Sequence, residues 1–166
     1  GYLDENHTLD NAHAIEDAGA NWLTVHARTK ADGYTPPAYW EKIQPITEAL
    51  KINVIANGEI WNNTDAKACI AQSDCKDIMI GRGAVTTPDL TLCIRQNQDQ
   101  AILSWQDLVE LQQRFLSGQY KTEVGMIGRY KQWLGMMTKA YPEAQALWDQ
   151  VKKLKQLDEI LKNLTR

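Results

Sequence analysis

The stretch Ile52-Asn53-Val54-Ile55-Ala56-Asn57-Gly58-Glu59 decides the architecture. Ile52 to Ala56 is a short, β-rich apolar run, and Asn57-Gly58 closes it with a turn at the carboxyl end. Working outward, the same plan recurs on both sides. Upstream lies Trp22-Leu23-Thr24-Val25-His26, and downstream lies Ile78-Met79-Ile80 closed by Gly81-Arg82-Gly83. The strands start at 22, 52 and 78, one strand-plus-helix unit apart, so the sheet they form is parallel. Helical patterns fill the intervals. Ala12, Ile15 and Ala18 precede the first strand and end at the Gly19 break. Trp40, Ile43, Ile46 and Leu50 follow an opening at Pro36 and Pro37, and Ala68, Cys69 and Ile70 follow a cap at Thr64.

Three strands do not finish a parallel sheet, which needs cover on both faces and neighbours or closure at both edges. Two architectures remain: a small doubly wound sheet, or the second half of a (β/α)8 barrel. Residues 101–166 carry almost no strand signal. Ser104 with Asp107 forms a capping-box start before Leu108, Leu111 and Phe115. Met126, Ile127, Tyr130, Trp133, Leu134 and Met137 form a second stripe, and Pro142 opens a third helix with Leu147, Trp148, Val151 and Leu154. Leu157 to Leu164 reads as a fourth. The expected division is therefore residues 1–98, an α/β part, and residues 99–166, an all-α part.

Length and composition fit an ordinary globular chain: 166 residues, 43% hydrophobic and 23% charged. The net charge of −3 excludes a globally basic nucleic-acid binder, yet it hides a split. Residues 1–100 carry net −6 and residues 101–166 carry net +3, which suggests different partners for the two parts. Cys69, Cys75 and Cys93 form no CxxC pair, so no disulfide framework or zinc cage is expected. His7 and His13 lack a third ligand and read as surface residues; no metal site is expected. No apolar run reaches the length of a membrane span. The chain opens at Gly1 on a polar loop without an initiator Met, as an interior piece of a longer protein would.

Ligands of βα folds sit beyond the carboxyl ends of the strands. There, Gly81-Arg82-Gly83 suits a phosphate: glycines allow close backbone approach, the arginine adds a charged fork, and a helix start follows at Thr87-Pro88-Asp89. Asn57 and Glu59, two apart, are expected on one side with Gly58 leaving room between them. Period two also places Thr24, His26 and Arg28 on one face, where the histidine and arginine need an acceptor or an anion. Taken singly, each motif is equally a tight turn or a satisfied structural residue; two consecutive strand ends of this type favour a phosphate cradle. In the tail, Arg129, Lys131, Lys139, Lys152, Lys153 and Lys155 alternate with Tyr130, Trp133 and Trp148. This fits either an RNA-contacting surface or a solvated helix face over core tryptophans.

Together the ordered motifs Thr24-Val25-His26-Ala27-Arg28-Thr29, Val54-Ile55-Ala56-Asn57-Gly58-Glu59-Ile60 and Met79-Ile80-Gly81-Arg82-Gly83-Ala84 resemble the bacterial tRNA-dihydrouridine synthases. Gly128-Arg129-Tyr130-Lys131-Gln132-Trp133-Leu134 resembles the C subfamily, which acts on uridine 16 of tRNA. The resemblance runs along essentially the whole chain and implies the C-terminal half of an FMN-binding (β/α)8 TIM barrel followed by a helical tRNA-binding domain. It also implies that His26, Asn57, Gly58, Glu59, Gly81 and Arg82 bind the flavin, and that Tyr34, Arg129 and Lys131 touch tRNA. In that family NADPH reduces FMN, the uridine is flipped out, a hydride passes to C6 of the uracil and a cysteine protonates C5.

The expected catalytic cysteine lies upstream of Gly1, so none of the three cysteines here takes that role. The piece alone is expected to be inactive, to bind flavin weakly and to self-associate through exposed half-barrel edges, while the parent is a cytoplasmic monomer without membrane contact. Two other readings share the same cradle and tail: a TIM-barrel enzyme acting on a small phosphorylated molecule, and a non-catalytic RNA-binding module.

Overall fold

The computed structural model describes residues 6–118 and 122–164. It is an α/β chain with one small parallel sheet and many helices. Its described residues divide into two compact units. The first runs up to Ala84 and includes Cys93–Asp99; the second comprises Val85–Leu92 and the residues from Gln100 onward.

In the first unit, α1 (Thr8–Asp17) leads into β1 (Trp22–His26). A 3-10 turn at Trp40–Lys42 and α2 (Gln44–Ala49) precede β2 (Asn53–Asn57); α3 (Asn63–Ser73) precedes β3 (Asp77–Met79). The strands lie in the order β1-β2-β3, both pairs parallel. Register sets His26 beside Asn57 and Asn57 beside Met79, so the three carboxyl ends finish level.

Alternation sorts the side chains. Val54 and Ala56 are buried on the face that packs against Ala12, Ile43, Ile46, Ala66 and Cys69. The opposite face carries Trp22, Thr24, His26, Ile55, Asn57 and Met79, with Trp22 62% and Met79 48% exposed. One face of this parallel sheet is thus uncovered among the described residues. Glu16 ties α1 to the entry of β2 by accepting the N–H groups of Lys51 (2.6 Å) and Ile52 (3.0 Å).

Two helix starts differ from the sequence expectation. Helix α3 is capped by Asn62, whose side chain accepts the Asp65 N–H, while the Thr64 N–H reaches Asp99. The second helical stretch does not open at Pro36-Pro37, a cis pair. A proline bars the helical region to the residue before it, so helix waits for the 3-10 turn, and Pro45 takes the first turn of α2. Sequence also missed α4 (Arg82–Thr86), which begins within the glycine motif; α5 (Leu90–Arg95) follows the expected Thr87-Pro88-Asp89 start.

The second unit holds α6 (Trp105–Leu116), α7 (Glu123–Met137), α8 (Pro142–Val151) and α9 (Leu157–Leu164). Ser104 and Asp107 form the expected reciprocal box at the start of α6. Leu108, Tyr130, Leu134, Met137, Val151 and Ile160 fill the core, with Trp133 and Trp148 packed against it. Tyr130 is buried, and its hydroxyl donates to Gln112 Oε1 (3.0 Å), whose amide in turn donates to the Leu108 carbonyl. Among the described residues no helix is long and apolar enough to cross a membrane.

Candidate functional site

The carboxyl ends of β2 and β3 open into a cleft of about 490 Å³ lined by His26, Tyr34, Asn57–Trp61, Met79 and Gly81–Gly83. All the flavin-contact candidates from the sequence meet here, joined by Tyr34, which had been expected at tRNA. The way Glu59 arrives differs from expectation. Strand alternation ends at Asn57, and Gly58 (φ +130°) and Glu59 (φ +50°) take left-handed backbone instead. That turn swings the Glu59 carboxylate toward Arg82. A Cβ on Gly58 would stand 3.4 Å from both Ala38 Cβ and the His26 ring, an ordinary contact, so the residue is confined by its conformation.

Glu59 is the hub. Its Oε1 pairs with Arg28 Nη2 (2.9 Å) and with Arg82 Nη2, and its Oε2 accepts the Trp61 indole N–H (2.9 Å). Burial pushes the Glu59 carboxyl up, but hydrogen bonds from Trp61 and Arg28 and the charges of both arginines outweigh it, leaving the group below its ordinary value. Arg82 lies between two aromatic rings, 4.9 Å from the Tyr34 centroid and 5.3 Å from that of Trp61. Its side chain remains 43% exposed, so the guanidinium is steadied yet open to solvent.

A second chain crosses the strand ends. His26 Nδ1 lies 2.7 Å from Asn57 Oδ1, and Asn57 Nδ2 donates to the Met79 carbonyl at 2.7 Å. A carbonyl can only accept, so the Asn57 amide is oriented by Met79 and presents its oxygen to the imidazole. His26 Nδ1 therefore carries the proton.

A larger groove, about 1040 Å³, runs along the outer edge of β1 between α1 and α2 and shares His26 and Tyr34 with the cleft. Leu23, Val25, Ile43 and Ile46 form its apolar part and Arg28, Asp32, Glu41 and Lys42 also line it, whereas Asn57, Glu59 and Arg82 belong to the smaller cleft, where anion chemistry fits best.

In the second unit Arg129 is exposed on α7. Lys131 is otherwise engaged: its ammonium donates to the carbonyls of Lys152 (2.9 Å) and Leu154 (2.5 Å) in the turn after α8. All three cysteines are buried thiols, and burial pushes Cys69 up to about 12. His7 and His13 are exposed, and among the described residues no cluster of three His, Cys, Asp or Glu could hold a metal ion. Sequence reasoning did not foresee Trp61 or the partner of Arg28. For Arg28 a signal existed, since an inward arginine demands an acid; for Trp61 there was none.

The chain is 44% identical over 168 residues to the tRNA-dihydrouridine(16) synthase of Shewanella oneidensis, covering 99% of this chain and 52% of that protein. It is 41% identical to the proteins of the same name from Pseudomonas syringae pv. tomato and Neisseria meningitidis serogroup A, in each case over 96% of this chain and 52% and 50% of theirs. The chain thus spans about half the length of the curated relatives it matches. Residues 2–165 match the dihydrouridine synthase family, and the chain belongs to it.

Proposed function

We propose that this chain is the C-terminal half of a tRNA-dihydrouridine synthase that reduces uridine 16 of tRNA, and that the β2–β3 cleft holds the phosphate end of FMN. The carrying observation is the meeting of Asn57, Gly58, Glu59, Gly81 and Arg82 in one cleft with an aromatic-braced, exposed guanidinium at its mouth. The residues fit the group. Arg82 offers a charged fork to phosphate oxygens, and among the described residues beyond its chain neighbours nothing lies within 4 Å of where a Gly81 Cβ would stand, leaving space for a ligand against the backbone. The His26–Asn57 pair sets a fixed imidazole at the neighbouring strand end, suited to a polar edge of the flavin ring.

When bound and reduced by NADPH, FMN supplies the hydride for C6 of uracil. The residues of this chain bind and orient. The catalytic cysteine that protonates C5 belongs to the other half of the protein. The uncovered sheet face fits a half barrel awaiting that other half. Residues 1–98 form the flavin-holding half barrel and residues 99–166 the tRNA-facing helical domain, with Arg129 and Tyr34 as direct tRNA contacts in the cytoplasm. Lys131 joins them if its ammonium leaves the Lys152 and Leu154 carbonyls on binding.

The test is the full reading frame that encodes this chain, expressed in a host whose tRNA carries unmodified uridine 16. Mass spectrometry should show the gain of two hydrogens at that nucleotide. Reduction at another uridine, or at none, refutes the assignment.

A further inference from the structure

We infer that Arg28 is a positioning residue for the anion site at Arg82, acting through the Glu59 carboxylate without touching the ligand. The inference rests on the phosphate reading of the cleft and deepens it. The Arg28 side chain is 0% exposed, and it lies against the larger neighbouring groove rather than the cleft at the ends of β2 and β3. Its Nε donates to the Pro37 carbonyl (3.2 Å), which sets the guanidinium behind Glu59, and Nη2 meets Glu59 Oε1 at 2.9 Å. Nη1 is buried with no hydrogen-bond partner among the described residues, and Nη2 holds Glu59 as an ion pair. An arginine this deep is costly unless its charge is used.

Charge at the site shows the use. With Glu59 and Arg82 alone, the carboxylate would cancel the one lysine or arginine that lines the cleft among the described residues, and an incoming phosphate would have to displace it. Arg28 engages the same carboxylate oxygen from the buried side. The three side chains then carry a net charge of +1, and exposures of 0%, 14% and 43% for Arg28, Glu59 and Arg82 put that surplus on the exposed member. Glu59 becomes a tether that aims Arg82 between Tyr34 and Trp61 without neutralising it. Arg28 thereby governs preference for a phosphorylated ligand rather than affinity for the flavin ring.

The test titrates the protein of the full reading frame that encodes this chain, and its R28M, R28K and R28M/E59Q variants, with FMN, riboflavin and inorganic phosphate, following flavin fluorescence and calorimetry. Riboflavin has the same ring without the phosphate. R28M should lose about tenfold in affinity for FMN and for phosphate while riboflavin binding stays unchanged. R28K should keep most of the preference, and R28M/E59Q should regain it, because removing the carboxylate frees Arg82 again. Equal loss of both flavins in R28M with no recovery in the double variant would show a merely structural arginine and overturn the inference. Should R28M not fold, R28M/E59Q decides, since it buries no unpaired charge; loss of FMN preference there overturns the proposal. A wild type that binds phosphate but neither flavin retires the FMN reading, and the phosphate titrations then decide the role of Arg28. A wild type that binds none of the three overturns both.

Discussion

His26 Nδ1 and Asn57 Oδ1 stand 2.7 Å apart at the level ends of β1 and β2, and the Met79 carbonyl fixes which atom of the amide faces the ring. Neutral His26 is therefore the Nδ1–H tautomer, with an Nε2 lone pair presented outward. Nitrogen-15 correlation spectra of the imidazole should show the proton on Nδ1 in the wild-type chain and a shift toward Nε2–H in N57L. An unchanged tautomer in N57L would mean that Asn57 does not set it. The substitution should also cost about 1 kcal/mol of stability, measured by urea unfolding.

Gly58 and Gly81 make a contrast. At Gly58 the backbone has φ +130°, a conformation that side-chain-bearing residues rarely adopt, so G58A should destabilise the chain by about 1–3 kcal/mol. Gly81 has open space at its Cβ position, so G81A should melt like wild type. If phosphate lies against that backbone, G81A should still lose preference for FMN over riboflavin. Thermal melts and flavin titrations on the same two variants separate the fold requirement from the ligand requirement.

How much of this was open to sequence reading depends on how local the cause was. The strands around Val25, Val54 and Ile78 and the Ser104–Asp107 box follow from patterns a few residues long, and the structure has the box as expected and the strands within one residue of the pattern. The convergence of Asn57 and Glu59 was foreseen for the wrong reason. Strand alternation stops at Asn57, and the left-handed Glu59 depends on a carboxylate held by three side chains 2, 23 and 31 residues away. Likewise Lys131 reads as one more cation on a basic face, because only tertiary packing brings the Lys152 and Leu154 carbonyls to it.

That engagement separates two residues that the sequence paired. Lys131 holds the turn after α8, so K131M should lower stability by about 1.5–3 kcal/mol, the range for a charged hydrogen bond. Arg129 is exposed, so R129Q should change stability by no more than about 0.5 kcal/mol. In tRNA binding across a salt series, R129Q should reduce the slope by about 1 while K131M alters it less. The reverse pattern would make Lys131 the phosphate contact.

Glu16 contributes to the acid sensitivity of the first unit. Hydrogen bonds from the Ile52 and Lys51 amides hold its carboxyl below the ordinary value. A depressed folded value means the stabilisation is complete above the unfolded value of about 4.3 and is lost as pH falls through the folded one. The melting temperature of E16A should lie below wild type at neutral pH, and the two should converge as acid protonates the folded carboxyl. A gap that persists there would point to lost packing rather than the carboxylate.

The uncovered face of the sheet bears on the chain as a free molecule. Trp22 is 62% and Met79 48% exposed on a parallel sheet, an arrangement otherwise covered on both faces. The 166-residue chain in isolation should bury that face against another copy or a larger aggregate. Light scattering should give a mass above the 18.8 kDa of the monomer, rising with concentration. W22K, which puts a charge at the open end of that face, should lower the mass toward the monomer and leave the far-ultraviolet circular dichroism unchanged. A monodisperse wild-type monomer with a sharp melting transition would show instead that the half sheet is self-sufficient.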